Sequence, residues 1–282
     1  MAKIIENTEI APKVHKIVIE APLIAKKRKA GQFLILRAHD QGERVPMSIA
    51  DANAEKGTLT LVVQEVGKTS AKITSMKAGD DILDVVGPLG KPTHIEKFGT
   101  VVCIGGGIGI APTHPIAQAL KAAGNKVISI LGARNKDFLI MEEELRKASD
   151  EVIICTDDGS YGEKGLVTNI LKRLIDEGTK VDMVITIGPA IMMKFVAETT
   201  RNYNIPTYAS LNTIMVDGTG MCGGCRISYG GETKFVCVDG PEMDAHKIDF
   251  DEMMKRQATY KELEAHSYSS SKEDHDCKLG IA

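Results

Sequence analysis

Among its 282 residues the chain has no run of about 18 consecutive apolar side chains, so no segment is expected to span a membrane. Its first residues, MAKIIENTEIAPKVHK, lack the apolar stretch of a secretory signal. Excess positive charge is missing as well. With 35 Lys+Arg against 38 Asp+Glu the net charge is −3, which gives no electrostatic case for nucleic acid as a partner. Cysteine is sparse, at six residues, and Cys103, Cys155 and Cys277 are scattered. A disulfide scaffold is therefore not expected, and a reducing, cytoplasmic setting is. Cys103 and Cys155 lie in apolar runs and read as buried thiols. No internal repeat at a fixed period is present.

What is present is ordinary for a globular protein, 43% apolar and 26% charged, and long enough for two domains with a small appendage. Residues 1–97 alternate turns with short β-like runs such as VHKIVIEAP, GQFLILRA and TLTLVVQEV, which predicts a small antiparallel β-barrel. Over residues 98–206 the texture changes. TVVCIGG, KVISILGA, EVIICTDD and DMVITIG are near-continuous apolar strands separated by segments that can be helical. That alternation predicts a doubly wound parallel α/β sheet, complete by about residue 206. A glycine–cysteine segment occupies 207–265, and a polar tail, 266–282, is expected to be mobile or docked on a partner.

Several motifs can carry chemistry. The first parallel strand runs into Gly105-Gly106-Gly107-Ile108-Gly109-Ile110-Ala111-Pro112. A strand-to-helix turn of this kind sets a helix N-terminus against a phosphate. It is not the dinucleotide fingerprint, because Ile110 stands at the last glycine position, and tight strand–helix packing would explain the glycines equally. Two further turns, Thr156-Asp157-Asp158-Gly159 and Gly188-Pro189, should fall at the same end of the sheet, which favours nucleotide binding. In the barrel, Gly67-Lys68-Thr69-Ser70 lacks the earlier glycine of a P-loop, since position 62 is Val. It reads either as a phosphate-holding turn or as a plain hairpin turn. Arg44-Val45-Pro46-Met47-Ser48 places an arginine beside a rigid extended turn.

Most informative is Asp217-x4-Cys222-x2-Cys225-x11-Cys237. Three thiols among glycines suggest a metal or iron–sulfur site, and Asp217 stands where the spacing C-x4-C-x2-C…C has its first cysteine. Asp217 is either the fourth ligand or a turn residue capping the loop. Zinc and a [2Fe–2S] cluster are both chemically open to this set. His15 and His114 read as structural, Met192 and Met193 as helix core, and DFDEMMKR as an amphipathic packing helix. Asp276 and Cys277 complete no ligand set.

In this order the motifs resemble the ferredoxin–NADP reductase superfamily. Within it, residues 5–260 resemble the electron-transfer subunits of type B dihydroorotate dehydrogenase. They are closer still to the small subunits of NADH-dependent reduced ferredoxin:NADP oxidoreductase, also called sulfide dehydrogenase subunits. The resemblance implies FAD on the barrel, with Arg44, Pro46, Met47 and Ser48 along the isoalloxazine and ribityl chain and Gly67, Lys68, Thr69 and Ser70 at the pyrophosphate. Arg44 departs from the pattern: the family's arginine stands three residues before the Ser/Thr, where Val45 stands here. Nicotinamide binding is implied for Gly106, Gly107, Gly109, Ala111, Pro112, Gly188 and Pro189, with Ile187 replacing the family's cysteine before the Gly-Pro. A [2Fe–2S] cluster is implied on Cys222, Cys225 and Cys237, with Asp217 in a cysteine's place.

The implied protein is an NAD(P)H-dependent oxidoreductase subunit. It would pass electrons between NAD(H), FAD and the cluster to a larger flavin and [4Fe–4S] subunit that handles ferredoxin and NADP, in a complex where electron bifurcation could occur. Asp157 and Asp158 favour NADH and Arg134 argues for NADPH. The rivals are the dihydroorotate dehydrogenase subunit itself and a zinc-bearing binding module without enzymatic activity.

Overall fold

The computed structural model describes residues 1–278, with side chains described to residue 270. Asp276 and Cys277 lie beyond the described side chains. The N-terminal region contains β1 (Ala2–Ala11), β2 (Val14–Glu20), α1 (Pro22–Lys27), β3 (Phe33–Arg37), β4 (Arg44–Ser48), β5 (Asp51–Asn53), β6 (Thr58–Gln64), α2 (Lys68–Ser75), β7 (Asp81–Ile82) and β8 (Asp84–Leu89). The strands form the expected antiparallel barrel as a five-stranded sheet, β5-β6-β2-β1-β7, and a three-stranded sheet, β4-β3-β8. β6 shows why: in TLTLVVQ every second residue is buried, the two-residue period of a half-buried strand. Ile17, Ile19, Leu34, Leu36, Leu59 and Leu61 meet in one core that α2 closes with Ile73.

Next come β9 (Thr100–Gly106), α3 (Ile110–Ala122), β10 (Lys126–Ala133), α4 (Glu142–Ala148), β11 (Glu151–Thr156), β12 (Glu163–Lys164), α5 (Val167–Asp176), β13 (Met183–Ile187), α6 (Ala190–Arg201) and β14 (Thr207–Ser210). β9 is buried over Val101–Gly106, as a strand covered on both faces must be. α5 buries Val167, Ile170, Leu171 and Leu174, a stripe at helical spacing. The sheet order is β12-β11-β10-β9-β13-β14, parallel throughout, and the order reverses between β9 and β13.

The rest of the chain holds β15 (Arg226–Tyr229), β16 (Glu232–Phe235), α7 (Val236–Asp239), β17 (Glu242–Asp244), α8 (Phe250–Gln257) and α9 (Lys261–Lys278). The sheet is therefore not complete at residue 206. β14 extends it, and β17 adds an antiparallel edge strand from beyond the cysteines. Both strands are only three or four residues long, too short for a periodic signal. α8 is the expected packing helix: Phe250 and Met253 enter the C-terminal core, and Lys194 on α6 holds Asp251 at 2.8 Å. The stretch from 266 continues a helix begun at Lys261, and Tyr268 donates a hydrogen bond to Glu65 of the chain's own barrel.

No helix among the described residues is long and apolar enough to cross a membrane.

Candidate functional site

A cleft of about 980 Å³ runs between the barrel and the carboxyl ends of the parallel strands. Pro46, Met47, Ser48, Gly67, Lys68, Thr69 and Ser70 line it from the barrel. Gly106, Gly107, Gly109, Ala111, Pro112, Asp157, Gly188 and Pro189 line it from the sheet. The turns after β9 and β13 flank the point where strand order reverses, which is where open α/β sheets hold ligands.

The glycines of the first turn divide by role. A Cβ on Gly109 would lie 2.2 Å from the Ile187 carbonyl oxygen, and one on Gly106 would lie 2.3 Å from Met192 Sδ. These two serve the close packing of neighbouring turns. Gly107 has φ +55° and nothing within 4 Å of an added Cβ, so it serves the turn's shape and its openness to the cleft.

On the barrel side, Gly67-Lys68-Thr69-Ser70 is the start of α2, which replaces both turn readings. Ser70 at the third helical position turns its hydroxyl back to accept from the amides of Val66 at 2.9 Å and Gly67 at 3.0 Å. The first intrahelical bond runs from Ala71 N to the Gly67 carbonyl at 2.9 Å. The amides of Lys68, Thr69 and Ser70 precede it and are the donors a helix start offers an anion. The Thr69 hydroxyl donates to the Glu43 carboxylate, which also lines the cleft.

Arg44 is the exception among the predicted cofactor residues. It does not line the cleft; its Nε donates to the Val216 carbonyl at 2.8 Å and Nη2 to the Asp217 carbonyl at 3.3 Å. At the first position of β4 it stands beside the cysteine loop, and the next four residues, Val45–Ser48, form the cleft wall.

The loop itself is shaped by Gly218, Gly220 and Gly223, all at positive φ. Gly218 rests against Ile35 and Leu89 of the barrel, where a Cβ would come within 2.8 Å and 2.9 Å. Cys225 and Cys237 are buried, and the Cys225 thiol donates to Cys237 Sγ at 3.2 Å; Cys222 is exposed. Two sulfurs accept amides: Cys222 Sγ from Gly224 at 3.5 Å and Cys225 Sγ from Cys237 at 3.4 Å. Burial, then the neighbouring Cys225, push the Cys237 thiol up to about 12. Asp217 caps the loop. Oδ1 accepts from the Thr219 hydroxyl and, at 3.1 Å, the Thr219 amide; Oδ2 accepts from Met221 N at 3.1 Å and Cys222 N at 3.2 Å. These bonds, led by that of the Thr219 hydroxyl, hold its carboxyl down at about 2. Among the described residues no three His, Cys, Asp or Glu side chains converge tightly enough to hold a metal ion.

The donor set nevertheless fits an iron–sulfur cluster. Three thiols and amides directed at sulfur are its usual surroundings, Asp217 offers a carboxylate where a fourth cysteine is usual, and a paired Cys225 and Cys237 is what one iron of a two-iron cluster takes.

The remaining expectations separate as follows. Arg134 and Asp157 both line the cleft, whereas Asp158 Oδ1 is engaged by Ser160 N at 2.9 Å. His114 is buried, with Nδ1 3.3 Å from the Ala50 carbonyl, and His15 pairs with Asn7 at 2.7 Å; both are structural. Cys103 and Cys155 are buried thiols, though Cys155 also reaches the cleft. Met193 is core, but Met192 lines the cleft beside Gly106. Gln64, Asn212 and Thr213 also line it and were not foreseen. Recognising β14 would have found the last two, which follow its carboxyl end.

Comparison with known proteins adds the following. The model of the iron–sulfur cluster binding domain of dihydroorotate dehydrogenase B matches residues 212–249, and that of the oxidoreductase NAD-binding domain matches residues 103–198. The chain is therefore an oxidoreductase chain, with a domain of each kind. It is 48% identical over 266 residues to the dihydroorotate dehydrogenase B (NAD(+)) electron transfer subunit homolog of Thermotoga maritima, covering 94% of each chain. It is 36% identical to the probable electron transfer subunit of the same enzyme in Methanocaldococcus jannaschii, over 89% of this chain and 91% of that one. A chain of the NADH-dependent reduced ferredoxin-NADP oxidoreductase, solved in a study of flavin-based electron bifurcation, superposes with a TM-score of 0.91. It is 47% identical, over 96% of this chain and 97% of its own.

Proposed function

The chain belongs to the family of dihydroorotate dehydrogenase B electron-transfer subunits, and from that premise we propose that it is the NADH-oxidising electron-transfer subunit of a heteromeric ferredoxin:NADP oxidoreductase. Its cofactors are FAD, NAD(H) and a [2Fe–2S] cluster. Held by Pro46, Met47, Ser48 and the amides of Lys68, Thr69 and Ser70, FAD would supply the means of accepting a hydride's two electrons and releasing them one at a time toward the cysteine loop. Hydride transfer needs alignment of two rings rather than an acid or base, so the work of the protein is positioning.

One observation carries this reading: a single cleft joins the start of α2 to the glycine turns after β9 and β13. The amides of Lys68–Ser70 suit the FAD pyrophosphate, and Pro46, Met47 and Ser48 suit the flavin and its ribityl chain. Gly106, Gly107, Gly109, Ala111, Pro112, Gly188 and Pro189 suit the nicotinamide nucleotide. Asp157 favours a free ribose hydroxyl and hence NADH. Cys222, Cys225, Cys237 and Asp217 are the cluster ligands in this account, and the Arg44 bonds tie their loop to the flavin's barrel.

The partner is a larger flavin and [4Fe–4S] subunit that handles ferredoxin and NADP, and the complex is cytoplasmic, in keeping with the free thiols. Electron bifurcation is a property of that complex. The second reading, a subunit of dihydroorotate dehydrogenase B, draws on the names of the relatives. Isolation from native cells separates the two: a co-purifying flavin and iron–sulfur subunit that reduces NADP supports the first, and one that forms orotate supports the second. Steady-state flavin reduction by NADH and NADPH tests the nucleotide, and a clear NADPH preference would sink the NADH assignment.

A further inference from the structure

The matched family regions stop at residue 249, yet the cleft does not. α9 packs along α2, and its Tyr268 hydroxyl reaches Glu65 at the turn between β6 and α2. Glu264 and Ser267, three residues apart on α9 and so on one helix face, line the same cleft as Val66, Gly67 and Lys68. The sequence gives no sign of this, because KELEAHSYSS reads as a polar surface segment.

A carboxylate one helix away from a phosphate cradle repels phosphate but accepts hydrogen bonds from a sugar diol, and a serine hydroxyl both donates and accepts. Such a pair suits the part of a dinucleotide just beyond its pyrophosphate. We propose that Glu264 and Ser267 bind the ribose of the adenosine half of the flavin dinucleotide, making α9 a third wall of the flavin site. The inference rests on the reading of the barrel as the FAD domain. It adds a specificity device: the wall rewards a flavin that carries an adenosine and does nothing for the mononucleotide.

The test compares FAD and FMN binding to the full-length chain after flavin removal, for wild type, Glu264→Ala, Ser267→Ala and Lys68→Ala. Loss of one charge-assisted hydrogen bond predicts about tenfold weaker FAD binding for Glu264→Ala. Ser267→Ala should lose less in the same direction. FMN binding and the KM for NADH should be unchanged in both. Lys68→Ala, which removes the cation at the start of α2, should weaken both flavins. Unchanged FAD affinity in Glu264→Ala would overturn the proposal while the Lys68 result leaves the flavin reading standing. Equal weakening of FAD and FMN, or a raised KM for NADH with FAD retained, would also overturn it. A wild-type chain that binds neither flavin would remove the underlying reading and the proposal with it.

Discussion

Arg44 on the barrel and Asp217 on the cysteine loop are joined through the backbone: Arg44 Nη2 donates to the Asp217 carbonyl at 3.3 Å, while its Nε holds the adjacent Val216 carbonyl at 2.8 Å. The guanidinium fork thus fixes the loop to the domain read as the flavin's. Arg44→Ala should leave the barrel folded, costing about 1 kcal/mol at a half-exposed site, but should speed loss of the cluster. The ratio of iron to flavin in the purified protein, followed over time, measures this. Retention equal to wild type would show that Gly218 packing alone holds the loop.

Asp217 has two roles to separate. Its oxygens already accept four bonds within the loop, so Asp217→Ala would remove this cap together with the proposed ligand. Asp217→Asn keeps an acceptor but not the anionic oxygen, and is expected to lose the cluster while keeping FAD. Asp217→Cys is expected to keep a cluster with a shifted reduction potential, because a thiolate is the softer ligand. An Asn variant with wild-type iron content would make Asp217 a cap alone.

Gly107 and Gly109 should fail in different ways. Gly109→Ala drives a Cβ to 2.2 Å from a backbone oxygen, which cannot move cheaply, and should cost about 1–3 kcal/mol of stability. Gly107→Ala meets no atom, yet it must hold φ +55° at about 1–2 kcal/mol and it fills the cleft. It is expected to raise the KM for NADH beyond what its stability loss explains. Thermal melts alongside flavin-reduction kinetics distinguish the two.

Much of this site was legible because its chemistry needs residues that are conspicuous in sequence. Glycine turns after apolar strands and C-x2-C in a glycine loop announce themselves without three-dimensional information. What was hidden depends on contacts far apart in the chain. The Arg44 bonds span 172 and 173 residues, and Tyr268 meets Glu65 across 203. β14 and β17 are strands because a neighbouring strand pairs them, not because of their own pattern. Gly67–Ser70 reads as a turn in sequence because the helix start rests on the Ser70 hydroxyl reaching back to the Val66 and Gly67 amides, a contact that composition does not reveal.

Glu242 supplies the pH dependence. Half-buried on β17, it accepts from Thr93 Oγ1 at 2.5 Å, and burial pushes its carboxyl from 4.5 up to about 7. A folded-state value raised above the unfolded one means that the folded state holds the proton more tightly. This group's contribution is full below pH 4.5 and is lost as pH rises to about 7. Glu242→Gln, neutral at every pH, should therefore gain melting temperature relative to wild type between pH 5 and pH 8. A constant difference across that range would show that the carboxyl does not titrate there.

The central claim is that electrons entering from NADH leave through the cysteine loop. Anaerobic addition of NADH to the purified, cluster-loaded chain, read by visible absorption and low-temperature electron paramagnetic resonance, tests it most directly. Bleaching of the flavin together with the signal of a reduced [2Fe–2S] cluster, lost in Asp217→Asn with flavin bleaching preserved, is the predicted result. Flavin reduction with a loaded cluster that stays oxidised at excess NADH, or a cysteine loop that carries zinc in place of iron, would contradict it.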